Sequence, residues 1–134
     1  MFRLLALSFL SGLLYAGAVH ADAALASRLA LDTPQAQTLA SLEATYRRDF
    51  ASLRQLHNRE ARALRRARLA HDAAETQRLE AVVEGLRLQL AALREAQDAR
   101  ISGLLRPEQQ PLFEAYIAER RQMHGSSRDE RLFD

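Results

Sequence analysis

The chain has 134 residues, 19 basic and 17 acidic side chains, a formal net charge of +2 and no cysteine. The lack of cysteine excludes a disulfide framework and any thiolate metal site. All of the basic residues other than histidine are arginine, so the cationic surface is made of planar, permanently charged groups whose distribution says more than their sum.

Met1, Phe2 and Arg3 place a positive charge ahead of an apolar run from Leu4 to Ala18, interrupted by Ser8, Ser11 and Gly12. That order is the charged and apolar part of a secretory signal. Val19-His20-Ala21 offers a suitable pair of residues to a signal peptidase, so residues 1–21 are expected to be removed and the mature chain to begin at Asp22. The apolar run falls short of the roughly 20 residues that cross a bilayer, so no stable membrane span is expected after cleavage. Export also removes nucleic acid as the partner of an arginine-rich helix. Residues 22–124 form one small domain, near the size at which a single core only just sustains itself, and residues 125–134 are expected to be a flexible tail.

From Gln35 to Glu84 there is neither glycine nor proline, and strong helix formers dominate. Leu39, Leu42, Tyr46, Phe50, Leu53, Leu56 and Leu64 recur at steps of three and four, which gives one apolar stripe. A second series runs through Leu79, Val82, Val83, Leu86, Leu90, Leu93, Ile101 and Leu104. Between them Asp72-Ala73-Ala74-Glu75 reads as a capping box, so the helix breaks near His71. The expected class is all-α: two long helices, Pro34 to Ala70 and Ala73 to Leu104, about 55 Å and 48 Å long at 1.5 Å per residue. So short a connection folds them back as an antiparallel hairpin.

A short third helix is expected after Gly103, with Pro107 in its first turn, Leu112, Phe113, Tyr116, Ile117 and Met123 on its apolar face, and Gly125 as its stop. Pro111, five positions into that helix, should kink or restart it.

The charge concentrates on the first long helix. Arg47, Arg48, Arg54, Arg59, Arg62, Arg65, Arg66 and Arg68 face only Asp49 and Glu60 within the same stretch. At 100° per residue Arg48, Arg59, Arg62 and Arg66 lie nearly opposite the apolar stripe, with Arg47, Arg54 and Arg65 between. A charge run of this kind serves either as a solvated face or as a basic binding surface, with Phe50 and Leu53 embedded in it. His57, Glu60 and His71 lie on or near the apolar side, and Met123-His124 ends the third helix. These histidines and Met123 are the candidate metal ligands, but no three or four of them converge in sequence, so no specific metal site is expected. No nucleophile, base and orienting residue form a set, and no glycine-rich phosphate loop occurs, so neither catalysis nor a cofactor is expected.

Two short motifs stand at helix starts: Leu31-Asp32-Thr33-Pro34-Gln35 and Leu105-Arg106-Pro107-Glu108-Gln109. In each, the leucine serves as a hydrophobic staple, the next residue caps, and the glutamine reaches back. Asp32 is a good cap; Arg106 is a poor one and leaves the helix end to Glu108 or water. Both motifs resemble the Leu-Thr-x-x-Gln motif of the Spy/CpxP family of periplasmic stress proteins. The resemblance implies a cradle-shaped, α-helical homodimer that holds unfolded or partly folded envelope proteins without ATP, or that modulates an envelope-stress sensor protein. Relatives in that family also sense metal ions in the periplasm, which is the alternative function. On the first reading the arginine run, with Phe50 and Leu53, is the client-binding surface.

Overall fold

The computed structural model describes residues 23–129, which contain helices and their connections and no strand. A short helix α1 covers residues 23–28, followed by α2 (Thr33–Leu69), α3 (Ala73–Leu104) and α4 (Gln110–Asp129). The expected export signal and the last residues of the expected tail lie outside the described residues. No helix among the described residues is long and apolar enough to cross a membrane.

Each long helix begins on an aspartate. The Asp32 carboxylate accepts the Gln35 backbone N–H at 2.9 Å and the Gln35 Oε1 accepts the Asp32 N–H at 3.2 Å, so both halves of a capping box close. At α3 only the forward half forms. Asp72 accepts from the Glu75 N–H at 3.0 Å, while the Glu75 carboxylate turns to Arg78 at 2.6 Å. The expected reciprocal bond is absent because the Asp72 N–H is already given to the Ala67 carbonyl at 3.1 Å.

That last bond belongs to the end of α2. His71 adopts a left-handed conformation with φ 55°, its N–H reaches the Arg68 carbonyl, and Asp72 reaches back to Ala67. This pair of bonds is the Schellman arrangement, which satisfies the last carbonyls of a helix. The end of α1 repeats it: Ala30 has φ 49°, its N–H meets Ser27, and the Leu31 N–H meets Ala26. Two helices therefore stop on left-handed residues that are not glycine, each followed at once by a capping aspartate or by the residue before one.

The third expected helix starts later and ends later than its sequence suggests. Residues 107–109 form a turn, with the Gln109 N–H on the Arg106 carbonyl at 2.9 Å, and α4 begins at Gln110. Pro107 thus lies in the turn, and Pro111 lies in the first helical turn, where its missing N–H has no helical partner to lose. The helix also passes through Gly125, the expected stop, to Asp129. A glycine inside a helix costs about 1 kcal/mol relative to alanine, which weakens a helix without ending it.

The described residues form two compact units, one of residues 23–37 together with 106–129, the other of Thr38–Leu105. In the second unit Leu64, Ala67 and Leu79 cluster with Ala63 and Val83, and Leu39, Leu86, Ile101 and Leu105 are also buried. Partners across α2 and α3 run in opposite numerical order: Glu43 with Gln97, Phe50 with Arg94, Arg68 with Glu80. In the first unit Leu25, Leu29 and Phe113 are buried. Full burial of a leucine or phenylalanine contributes about 1.5–3 kcal/mol, so these few side chains carry much of a small unit's stability. Arg28 ties α1 to α4, with Nη2 2.6 Å from Glu119 Oε1 and its guanidinium 5.7 Å from the centre of the Tyr116 ring.

Candidate functional site: a paired motif and a basic helix face

The two motifs meet. Gln35 Nε2 donates to Gln109 Oε1 at 2.9 Å and Gln109 Nε2 donates to Gln35 Oε1 at 3.2 Å, in a pair only 8% and 3% exposed. Each Oε1 also accepts the backbone N–H three residues before it, Asp32 for Gln35 and Arg106 for Gln109 at 2.9 Å. Gln109 Nε2 further donates to the Ala30 carbonyl at 3.0 Å. A glutamine fits this position because its amide carries a donor and an acceptor at one end, and the buried pair satisfies both.

Arg106 cannot cap with its side chain. Its guanidinium instead reaches Asp32 at 3.1 Å and Glu108 at 3.3 Å. The residue that cannot cap in the second motif is thereby matched by the acidic cap of the first. Leu31 is half-buried and Leu105 is buried, while Pro107 and Glu108 are exposed.

In the second unit the arginines Arg47, Arg48, Arg54, Arg59, Arg62, Arg65 and Arg66 are all exposed. Arg48 stands 4.0 Å from Asp49, Arg59 2.8 Å from Glu60 and Arg68 2.8 Å from Glu80. Arg54, Arg62, Arg65 and Arg66 have no ion-pair partner among the described residues. Phe50 and Leu53 are half-buried and Leu56 is 36% exposed, so apolar surface lies beside the free guanidinium groups. One open recess is lined by Leu53, Leu56, Arg59 and Arg62 together with the acidic Asp49, and a second by Phe50, Arg54 and Arg62.

Two contacts escaped sequence reasoning. Arg94 of α3 lies 5.7 Å from the centre of the Phe50 ring, which is tilted against Tyr46. Gln97, 4% exposed, donates to Glu43 at 3.1 Å while its Oε1 has no partner among the described residues. A glutamine in an apolar series was the available signal for the second; nothing local marks the first.

The candidate metal ligands do not assemble. His57 is half-buried with Nδ1 3.4 Å from Asn58 Oδ1, His71 is exposed in the turn after α2, and Met123 is 62% exposed on α4. The His124 side chain lies outside the described residues. Among the described residues no three His, Cys, Asp or Glu side chains gather as a group able to hold a metal.

Comparison with protein-family models, with curated proteins and with solved structures gives no significant match.

Proposed function

We propose that this chain is an exported periplasmic protein that binds unfolded or partly folded envelope proteins without nucleotide, as a chaperone or as a modulator of an envelope-stress sensor. The observation that carries the reading is the outward face of α2, where Arg54, Arg62, Arg65 and Arg66, without ion-pair partners among the described residues, stand on the same helix as the partly exposed Phe50, Leu53 and Leu56. A non-native chain offers acidic segments and apolar side chains together. The guanidinium groups attract the first over a Debye length of about 10 Å at 0.1 M salt, and the partly exposed apolar side chains and arginine stems take the second by contact.

The resemblance to the Spy/CpxP family rests on the two motifs, and their reciprocal pairing supports it by giving both glutamines one shared role. We read α2 and α3 as an antiparallel hairpin, supported by the opposed order of their contacts. We read the working form as a homodimer, since Leu69 is 81%, Leu88 54% and Leu112 43% exposed in a single copy.

The test is aggregation suppression by the mature protein, without nucleotide, on chemically unfolded clients. Delayed light scattering at stoichiometric protein is expected. Scattering unchanged for acidic and basic clients alike would contradict the proposal.

A further inference from the structure

The eight arginines of α2 are not spread evenly around it. At 100° per residue, all but Arg68 fall within an arc of about 140° on the side away from the buried Leu64. Between Arg47 and Leu69 the other members of that arc are Ala51, Gln55, Asn58 and Leu69, and every residue on it is exposed. The acids of the stretch stand off it: Asp49 lies about 80° beyond its edge, toward Leu53, and Glu60 is half-buried.

Spacing along the helix also withholds partners. From Arg48 to Arg66 no arginine has an acid three or four positions away, whereas Arg62 has arginines at positions 59, 65 and 66. Like charges at that spacing repel and weaken a helix. On α3 the spacing supplies acids instead, with Glu75 on Arg78 and Glu84 on Arg87, each at 2.6 Å. Arg54, Arg62, Arg65 and Arg66 have no ion-pair partner among the described residues. The outer side of α2 from Arg47 to Arg66 is therefore a straight, self-repelling row of guanidinium groups, about 28 Å long at 1.5 Å per residue.

We infer that this arc is a docking face for an anionic lipid surface, whose phosphates it holds. A planar array of phosphates meets a straight row along its whole length and relieves the repulsion within it. Guanidinium forks match phosphate oxygens two at a time. The arc carries no aromatic side chain and a single leucine at its end, so it offers the apolar side chains of a polypeptide little, and headgroups require nothing apolar. Phe50, Leu53 and Leu56 lie outside the arc. The inference goes beyond client capture, since a protein held at a membrane by this row keeps those three side chains uncovered.

The probe is vesicles of phosphatidylglycerol and phosphatidylcholine in equal parts, compared with vesicles of phosphatidylcholine alone, and binding of the mature protein is read by co-sedimentation at low salt. Binding to the first and not to the second is expected, and it should disappear at 1 M salt, where the screening length is about 3 Å. Arg62→Gln combined with Arg66→Gln should weaken it about 25-fold, roughly fivefold for each arginine at an anionic surface. Arg78→Gln combined with Arg87→Gln on α3 removes the same formal charge and should weaken it far less, with circular dichroism reporting equal helicity in all three proteins. Equal losses in the two double variants would overturn the docking face, because net charge alone would then account for binding; so would equal binding to both kinds of vesicle. Polyglutamate at matched charge is the rival polyanion, and its displacing the protein from vesicles would assign the row to acidic protein segments instead. Client protection without vesicle binding removes the docking face and leaves the proposed function standing.

Discussion

Gln35 and Gln109 hold each other through both ends of their amides across 74 positions of sequence, with hydrogen bonds of 2.9 and 3.2 Å. Because both are buried, replacing either by alanine leaves the other's donor and acceptor without a partner, at a cost of about 1–3 kcal/mol. The double replacement should cost less than the two single costs added together. Urea midpoints for the four proteins of this cycle measure the coupling, and simple additivity would contradict a mutual pair.

The pair also shows where sequence reasoning stops. Asp32 with Gln35, and Asp72, were readable as caps because capping joins residues three apart, so residue type and spacing suffice. The Gln35 to Gln109 contact depends on chain ends brought together by the fold, which no local pattern encodes. The start of α4 differs from the sequence expectation for a related reason. Proline at a first helical position is a sound rule, but two prolines satisfy it; residues 107–109 form a turn closed by the Gln109 N–H on the Arg106 carbonyl, and the helix starts at Gln110, next to Pro111. The arginine run was plain in sequence; which arginines keep partners depends on neighbours such as Glu80, twelve residues away.

His71 ends α2 with φ 55°, a conformation that costs an ordinary L residue roughly 1–2 kcal/mol and glycine very little. His71→Gly should stabilise the protein by less than that, because glycine also gains freedom in the unfolded chain. Asp72→Ala, one residue on, should destabilise it by about 0.5–2 kcal/mol. Thermal unfolding of both variants checks the turn, and shifts of the same sign would contradict its assignment.

Glu43 offers Gln97 only acceptors, and the Gln97 Oε1 is left buried without a partner among the described residues. Glu43→Gln supplies a donor and allows the reciprocal amide pair already formed by Gln35 and Gln109. The variant should be more stable by about 0.5–1.5 kcal/mol, the net worth of one intramolecular hydrogen bond. A lower urea midpoint than wild type would show that the carboxylate does more than accept from Gln97.

Hydrogen bonds from Arg28, Arg78 and Arg87 hold the carboxyls of Glu119, Glu75 and Glu84 below their ordinary value. A lowered folded-state value means that the stabilisation is complete above the ordinary glutamate value of about 4.3. It is lost as pH falls through the folded values, so stability declines toward acid. Arg28→Gln should return the Glu119 titration to the ordinary range and leave Glu75 and Glu84 unmoved. Carboxyl-carbon NMR titration checks this, and an unchanged Glu119 would contradict the role of Arg28.

The central claim is that the outward face of α2 captures non-native protein, and its most direct test is the triple variant Arg59→Gln, Arg62→Gln, Arg66→Gln. Glutamine nearly matches arginine in helix propensity and these side chains are exposed, so helicity and unfolding midpoint should stay close to wild type. Aggregation suppression of an acidic client should fall sharply in the variant at low salt. Wild type should move toward the variant as salt shortens the screening length from about 10 Å at 0.1 M to about 3 Å at 1 M, with apolar contact leaving residual protection. Equal protection by wild type and variant at low salt, with helicity preserved, would contradict the account.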